Sequence, residues 1–164
     1  MLTNAQLDTI KAWITANVQN ATEHTAQAAL NALASPTYQV YRTAVPMTEI
    51  MLNGFDWTRV DNLSVGKARI WDWMVNADPV ARTIDPSKSN IRAGINAVWA
   101  GTAPDLAVRA AVYIHCQRDA TNCEKLLKTA GAGTAAASDG SGPATMGFEG
   151  SITLDETISA MNRP

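Results

Sequence analysis

"DPSKSNIRAGINAVWAG", residues 85–101, is the stretch on which the fold class turns. Ile91, Ile95, Val98 and Trp99 recur at i, i+4, i+7 and i+8, the apolar stripe of a helix with one buried face. Asp85 and Pro86 suit the helix entry, and Gly101 supplies the stop. The next residues repeat the pattern. Thr102 and Pro104 open a second helix with Leu106, Ala110, Tyr113 and Ile114 on its apolar side.

Working towards the N-terminus, "DWTRVDNLSVGKARIWDWM" predicts another helix, with Ser64 at its N-cap. Ile70, Trp73 and Met74 share a face. Trp71 and Trp73 lie ~160° apart around a helix axis. Either the helix is buried over a wide arc, or one indole meets a partner. Before it, "PMTEIMLN" reads as a short helix closed by Gly54, and "TYQVYRTAV", 37–45, as a short strand or an extended connection. At the start of the chain, Thr3 and Gln6 form a capping box ahead of Leu7, Ile10, Ile14 and Val18. Asn20 and Glu23 mark a new turn or a continuing helix, with the stop at Ser35–Pro36.

Towards the C-terminus, Thr121 with Glu124 and Thr153 with Glu156 are further capping boxes. Between them the pattern breaks. "GAGTAAASDGSGPATMGFEGSIT", 131–153, begins with small residues and almost no apolar side chains. Its G-A-G-T-A-A resembles a dinucleotide fingerprint. That motif needs a preceding strand and a following helix, whereas "EKLLKTA" before it is helical. A flexible tether is the better reading. Residues 131–147 would span ~55–60 Å extended and ~23 Å as a coil. The expected fold is therefore mainly α: a helical bundle over 1–129, a flexible Gly/Ala/Ser linker over 130–147, and an extended C-terminal arm over 148–164, with at most a short β segment.

The composition narrows the function classes. The 164 residues suffice for a core without metal or disulfide staples. Charged residues make up only 17%, and the net charge is −2. Residues 57–128 hold ten Lys/Arg against seven Asp/Glu, and the rest three against eight. That imbalance is far short of a nucleic-acid footprint. No apolar signal core or run of ~18 apolar residues is present, which points to a soluble protein made in a cytoplasm, with Cys116 and Cys123 reduced. His115, Asp119 and Cys123 fall at i, i+4 and i+8, but no close ligand pair of the kind zinc favours accompanies them. The sequence points to a core or interface cysteine pair over a metal site. His24 and His115 are the only histidines, and no G-x-S-x-G or H-E-x-x-H occurs. No enzyme, no cofactor and no metal are expected.

Taken together, "DWTRVDNLSVGKARIWDWM", "DPSKSNIRAGINAVWAG", "ATNCEKLLKTAGAGT" and "PATMGFEGSIT" resemble small structural proteins of tailed bacteriophages. The nearest family is the head–tail connector, also called neck or adaptor, over roughly residues 36–160. The resemblance implies a homo-oligomeric ring below a twelve-fold portal, joined to a tail or stopper protein. It also implies residence in the virion neck after assembly in the host cytoplasm, with transient non-specific DNA contact and no membrane. On that reading Phe148, Ile152 and Leu154 dock the arm on a partner, and Trp71 and Trp73 meet a neighbouring subunit. Lys88, Arg92 and Arg109 then place charge along the DNA channel. The alternative from another class is a small helical DNA-binding packaging or regulatory protein, using residues 86–119 as a helix-turn-helix.

Overall fold

A computed structural model describes residues 2–52, 54–77 and 80–164. About half of the residues are helical, so the chain is mainly α. In chain order the elements are α1 (Asn4–Asn17), α2 (Glu23–Asn31), β1 (Gln39–Tyr41), β2 (Val45–Pro46) and α3 (Met47–Leu52). They continue with α4 (Thr58–Asp61), α5 (Val65–Val75), β3 (Thr83–Ile84), α6 (Ser89–Val98) and α7 (Ala103–His115). The last are β4 (Gln117–Asp119), α8 (Asn122–Leu126), β5 (Lys128–Ala130), β6 (Thr145–Met146) and α9 (Leu154–Met161). The strands pair two by two, β1 with β4, β2 with β3 and β5 with β6.

Threonine sets most helix starts. Thr3, Thr22, Thr102, Thr121 and Thr153 each cap a helix reciprocally with the residue three positions on. Each cap satisfies main-chain N–H groups that the first turn leaves free. Thr22 resolves the ambiguity at Asn20–Glu23: α1 ends at Asn17 and a second helix begins. The 85–101 helix starts later than its Asp-Pro entry suggests. Asp85 instead turns its carboxylate onto the Ser87 N–H (3.0 Å) and hydroxyl (2.5 Å), and α6 begins at Ser89.

The chain divides into two compact units. The first comprises Met1–Tyr38, Asp119–Gly133 and Ala144–Pro164. Its core joins Ile10 and Ile14 of α1, Ala26 and Leu30 of α2, Cys123 of α8, and Ile152 and Ala160 near the C-terminus. α9 packs on α1 and α2. The second unit comprises Gln39–Arg118 and Thr134–Pro143. Its core contains Phe55, Trp71, Met74, Ile95, Val98, Trp99, Val112 and Tyr113, with α5 packed on α6. Phe55 stacks on Trp71 at 5.7 Å, and Trp99 meets both edge-on at 5.5 and 5.3 Å.

This division departs from the expected domains 1–129, 130–147 and 148–164. Residues 134–143 fold back as part of the second unit. Ala137 N donates to Ser141 O (2.8 Å), Thr134 N to Gly142 O (3.2 Å) and Ala136 N to Gln117 Oε1 (2.6 Å). Asn96 Nδ2 donates to Asp139 O (2.8 Å), and the Tyr41 hydroxyl donates to Gly140 O. The small residues serve close approach. Gly133 and Gly140 adopt φ of +78° and +79°, and a Cβ at either would collide with the ring of Tyr38 or Tyr113, respectively. Composition alone cannot distinguish a tether from a loop pressed against tyrosine rings.

Candidate functional site

The expected docking arm is held within its own unit. Ile152 is 1% exposed, which is worth roughly 1.5–3 kcal/mol for a side chain of this size. Its main-chain N–H donates to Asn31 Oδ1 (2.8 Å), and its carbonyl accepts from Asn31 Nδ2 (3.0 Å) and Gln27 Nε2 (3.2 Å). Phe148 packs part-buried on the same core, and Leu154 opens α9 part-buried. Farther on, Arg163 pairs with Asp8 (2.6 and 3.2 Å). Ile152 and Phe148 thus share the first core, while Leu154 serves as the first residue of α9.

The two tryptophans part as the 160° spacing requires. Trp71 is buried in the aromatic cluster, while Trp73 is 65% exposed on the outer face of α5. The Arg69 guanidinium lies 6.0 Å from the Trp73 ring centroid, one turn back on the same face. Val65, on α5, is also exposed. On α7, Leu106, Ala110 and Ile114 form an i, i+4, i+8 row whose two large members are exposed.

The expected channel charges sit in three different surroundings. Lys88 is largely exposed, 3.9 Å from Asp85. Arg92 donates to Pro86 O (2.7 Å) and Ser87 O (2.9 Å), and its guanidinium lies 4.5 Å over the Tyr41 ring. Arg109 is part-buried, and its Nε has no hydrogen-bond partner. Of the three cations, Arg92 is thus the one held by local hydrogen bonds.

The residues weighed for chemistry are equally spoken for. His115 Nδ1 is 3.3 Å from Glu49 Oε1, which also receives Arg42 Nη1 at 2.6 Å. The Arg42 hydrogen bond, more than His115, holds the Glu49 carboxyl below its ordinary range. Cys116 follows α7 and is buried in the second core; Cys123 lies on α8 in the first. Burial pushes each thiol up to about 12, so neither is a ready nucleophile. Among the described residues, no group of three or more His, Cys, Asp and Glu is placed to hold a metal ion. None of the described helices is long and apolar enough to cross a membrane.

An open cleft of about 520 Å³ lies in the first unit. Trp13 and Asn17 of α1, Tyr38, Asn122 and Lys125 of α8, and Lys128 of β5 line it. The Lys125 and Lys128 ammonium groups each sit 5.5 Å from the centroid of the Tyr38 ring. The Tyr38 hydroxyl is buried and unpaired. No sequence signal links Tyr38 to two lysines almost ninety positions away. The only local hint is the i, i+3 spacing of Lys125 and Lys128 at a helix end.

Compared with known protein families, with curated proteins and with solved structures, the chain matches none.

Proposed function

We propose that this chain is a structural virion subunit: a ring-forming head–tail connector that joins the portal to the tail or stopper around the DNA exit channel. The observation that carries the reading is the outer face of α5. Trp73, one of the largest apolar side chains in the protein, is left 65% exposed there with Val65 on the same helix. Single exposed apolar residues are ordinary, but tryptophan is enriched where proteins meet, because it buries a large area and keeps a polar tip. The exposed row on α7 offers further apolar surface, and the low charge content suits repeated subunit contact. The resemblance of residues 36–160 to connectors supplies the setting.

The test is the mass of the particle in solution. Native mass spectrometry and negative-stain imaging of the full chain are expected to show closed rings, alone or with portal protein. Trp73→Glu is expected to release subunits that keep the wild-type far-UV circular dichroism, because the indole is 65% exposed on α5. A strict monomer, with and without portal, overturns the reading.

The second reading, a DNA-binding packaging or regulatory protein, draws on α6 and α7 as a helix pair. It has less support, since Arg92 and Arg109 do not project freely from that pair. Sub-micromolar duplex binding with a steep salt slope would favour it over the connector.

A further inference from the structure

The cleft of the first unit gathers groups that share no structural task. Lys125 and Lys128 approach the same tyrosine ring at 5.5 Å and are therefore at most twice that distance apart. Neither ammonium group makes an ion pair or hydrogen bond with the described residues. Two like charges gathered on one ring repel each other, and the ring's negative face offsets this only in part. An anion between them removes the repulsion. Two separate ammonium groups, with no planar guanidinium beside them, suit an anion whose charge is spread over several tetrahedrally placed oxygens. A carboxylate is better served by the fork of an arginine.

The rest of the wall is not built for an inorganic ion. Trp13 and Tyr38 bring aromatic surface to a cleft of about 520 Å³, within the size range of small-molecule sites. Asn17 Nδ2 donates to Trp13 O (2.8 Å), and Asn122 Nδ2 to Ala29 O (3.0 Å). Each bond uses one N–H of the amide and orients it, which leaves Oδ1 as an acceptor beside one further N–H. The Tyr38 hydroxyl, on a residue less than a tenth exposed, has no partner of its own. Cationic, aromatic and acceptor groups converge in one place.

We propose that this cleft binds a nucleoside phosphate with an amino-bearing base, either free or as one nucleotide of a single strand. Lys125 and Lys128 hold the phosphate, the aromatic wall takes the base, and the asparagine carbonyl oxygens accept from its amino group. Stacking on aromatic side chains tolerates many bases, so the asparagines carry the preference for adenine or cytosine over uracil or thymine. The site is independent of ring assembly and stands or falls separately.

Calorimetric titration of the full chain with AMP, UMP, adenosine, inorganic phosphate and a ten-residue oligo(dA) tests it. AMP is expected to bind more tightly than UMP, phosphate or adenosine, and more weakly as salt rises. Lys125→Ala/Lys128→Ala is expected to weaken AMP at least about tenfold, while Lys125→Arg/Lys128→Arg stays within about threefold. Neither pair supports a core, so an unchanged far-UV spectrum accompanies both. Tighter binding of oligo(dA) than AMP assigns the site to a strand, and equal binding to a free nucleotide. The proposal is overturned if neither AMP nor oligo(dA) binds at about 1 mM, or if the double alanine variant binds AMP as the wild type does. A Glu-rich decapeptide that outcompetes AMP for the same lysines also overturns it, in favour of an acidic protein partner.

Discussion

Asp105 joins two functions in one carboxylate. Its Oδ2 caps α7 through the Thr102 hydroxyl (2.8 Å), and its Oδ1 accepts from Arg59 Nη2 (2.7 Å) and Nε (3.1 Å). The Arg59 bonds, more than those to Thr102, hold its carboxyl below the ordinary range. A group so depressed stabilises the fold above the unfolded carboxylate value, and that stabilisation is lost as pH falls through the folded value. Asp105→Asn is therefore expected to cost about 2 kcal/mol at neutral pH. The difference from wild type should shrink as pH falls below the ordinary carboxylate range. Thermal melts across that range measure it. A difference that stays constant with pH would mean that shape, rather than charge, is what the residue supplies.

Gly140 offers a second test at the same scale. Its left-handed φ of +79° and the Tyr113 ring against its α-carbon leave no room for a methyl group. Gly140→Ala is expected to destabilise the second unit by about 3 kcal/mol, through backbone strain and displacement of Tyr113. Ala135→Gly, at an exposed position in the same loop, is the control expected to change little. Urea unfolding followed by tryptophan emission reports both, because Trp57, Trp71, Trp73 and Trp99 all lie in that unit.

At the scale of elements, the helices were legible because their signals are local. The Thr-x-x-Glu and Thr-x-x-Gln boxes, the i, i+4, i+7 spacing of α6 and the opposed faces of Trp71 and Trp73 each read correctly within a dozen residues. What was not legible depended on residues far apart in sequence. Nothing in 131–147 announces that Tyr38, Tyr41, Tyr113 and Gln117 hold it, and small residues have the same composition in a tether as in a tight loop. Of the three arm residues, Ile152 lies in the core that α1 and α2 build and Phe148 packs against it, whereas Leu154 opens α9. The cleft lysines were missed for the same reason. A protease separates the two accounts of the loop. A free tether is cut within minutes, whereas residues 134–143, with their main-chain and side-chain bonds, are expected to survive limited digestion by a broad-specificity protease for as long as the helices do. Early cleavage confined to this stretch would restore the tether.

For the whole molecule, the consequential feature is that each unit is assembled from separated pieces of chain. The first takes three segments and the second two, so the chain enters the first unit again after each visit to the second. A stop at Gly131 therefore damages both. It removes Ile152 and α9 from the first core, and from the second it removes the loop that covers Tyr113 and receives the Tyr41 hydroxyl. A stop after Pro143 removes only pieces of the first. Because the aromatic cluster of Phe55, Trp71 and Trp99 lies wholly in the second unit, its near-ultraviolet circular dichroism separates the two cases. The chain ending at Pro143 is expected to keep most of that signal, and the chain ending at Gly131 to lose a large part of it and shift its tryptophan emission to the red. Equal loss in both would mean that the second core depends on the completed first unit. Equal retention would mean that 134–143 is dispensable to the second core, and that the glycines serve Tyr113 without stabilising it. The comparison also bears on assembly. Any ring defect caused by removing the C-terminal segment has to be corrected for the loss of Ile152 and α9 before it is read as loss of a docking contact. Trp73→Glu, which leaves both cores intact, is the cleaner probe of subunit association.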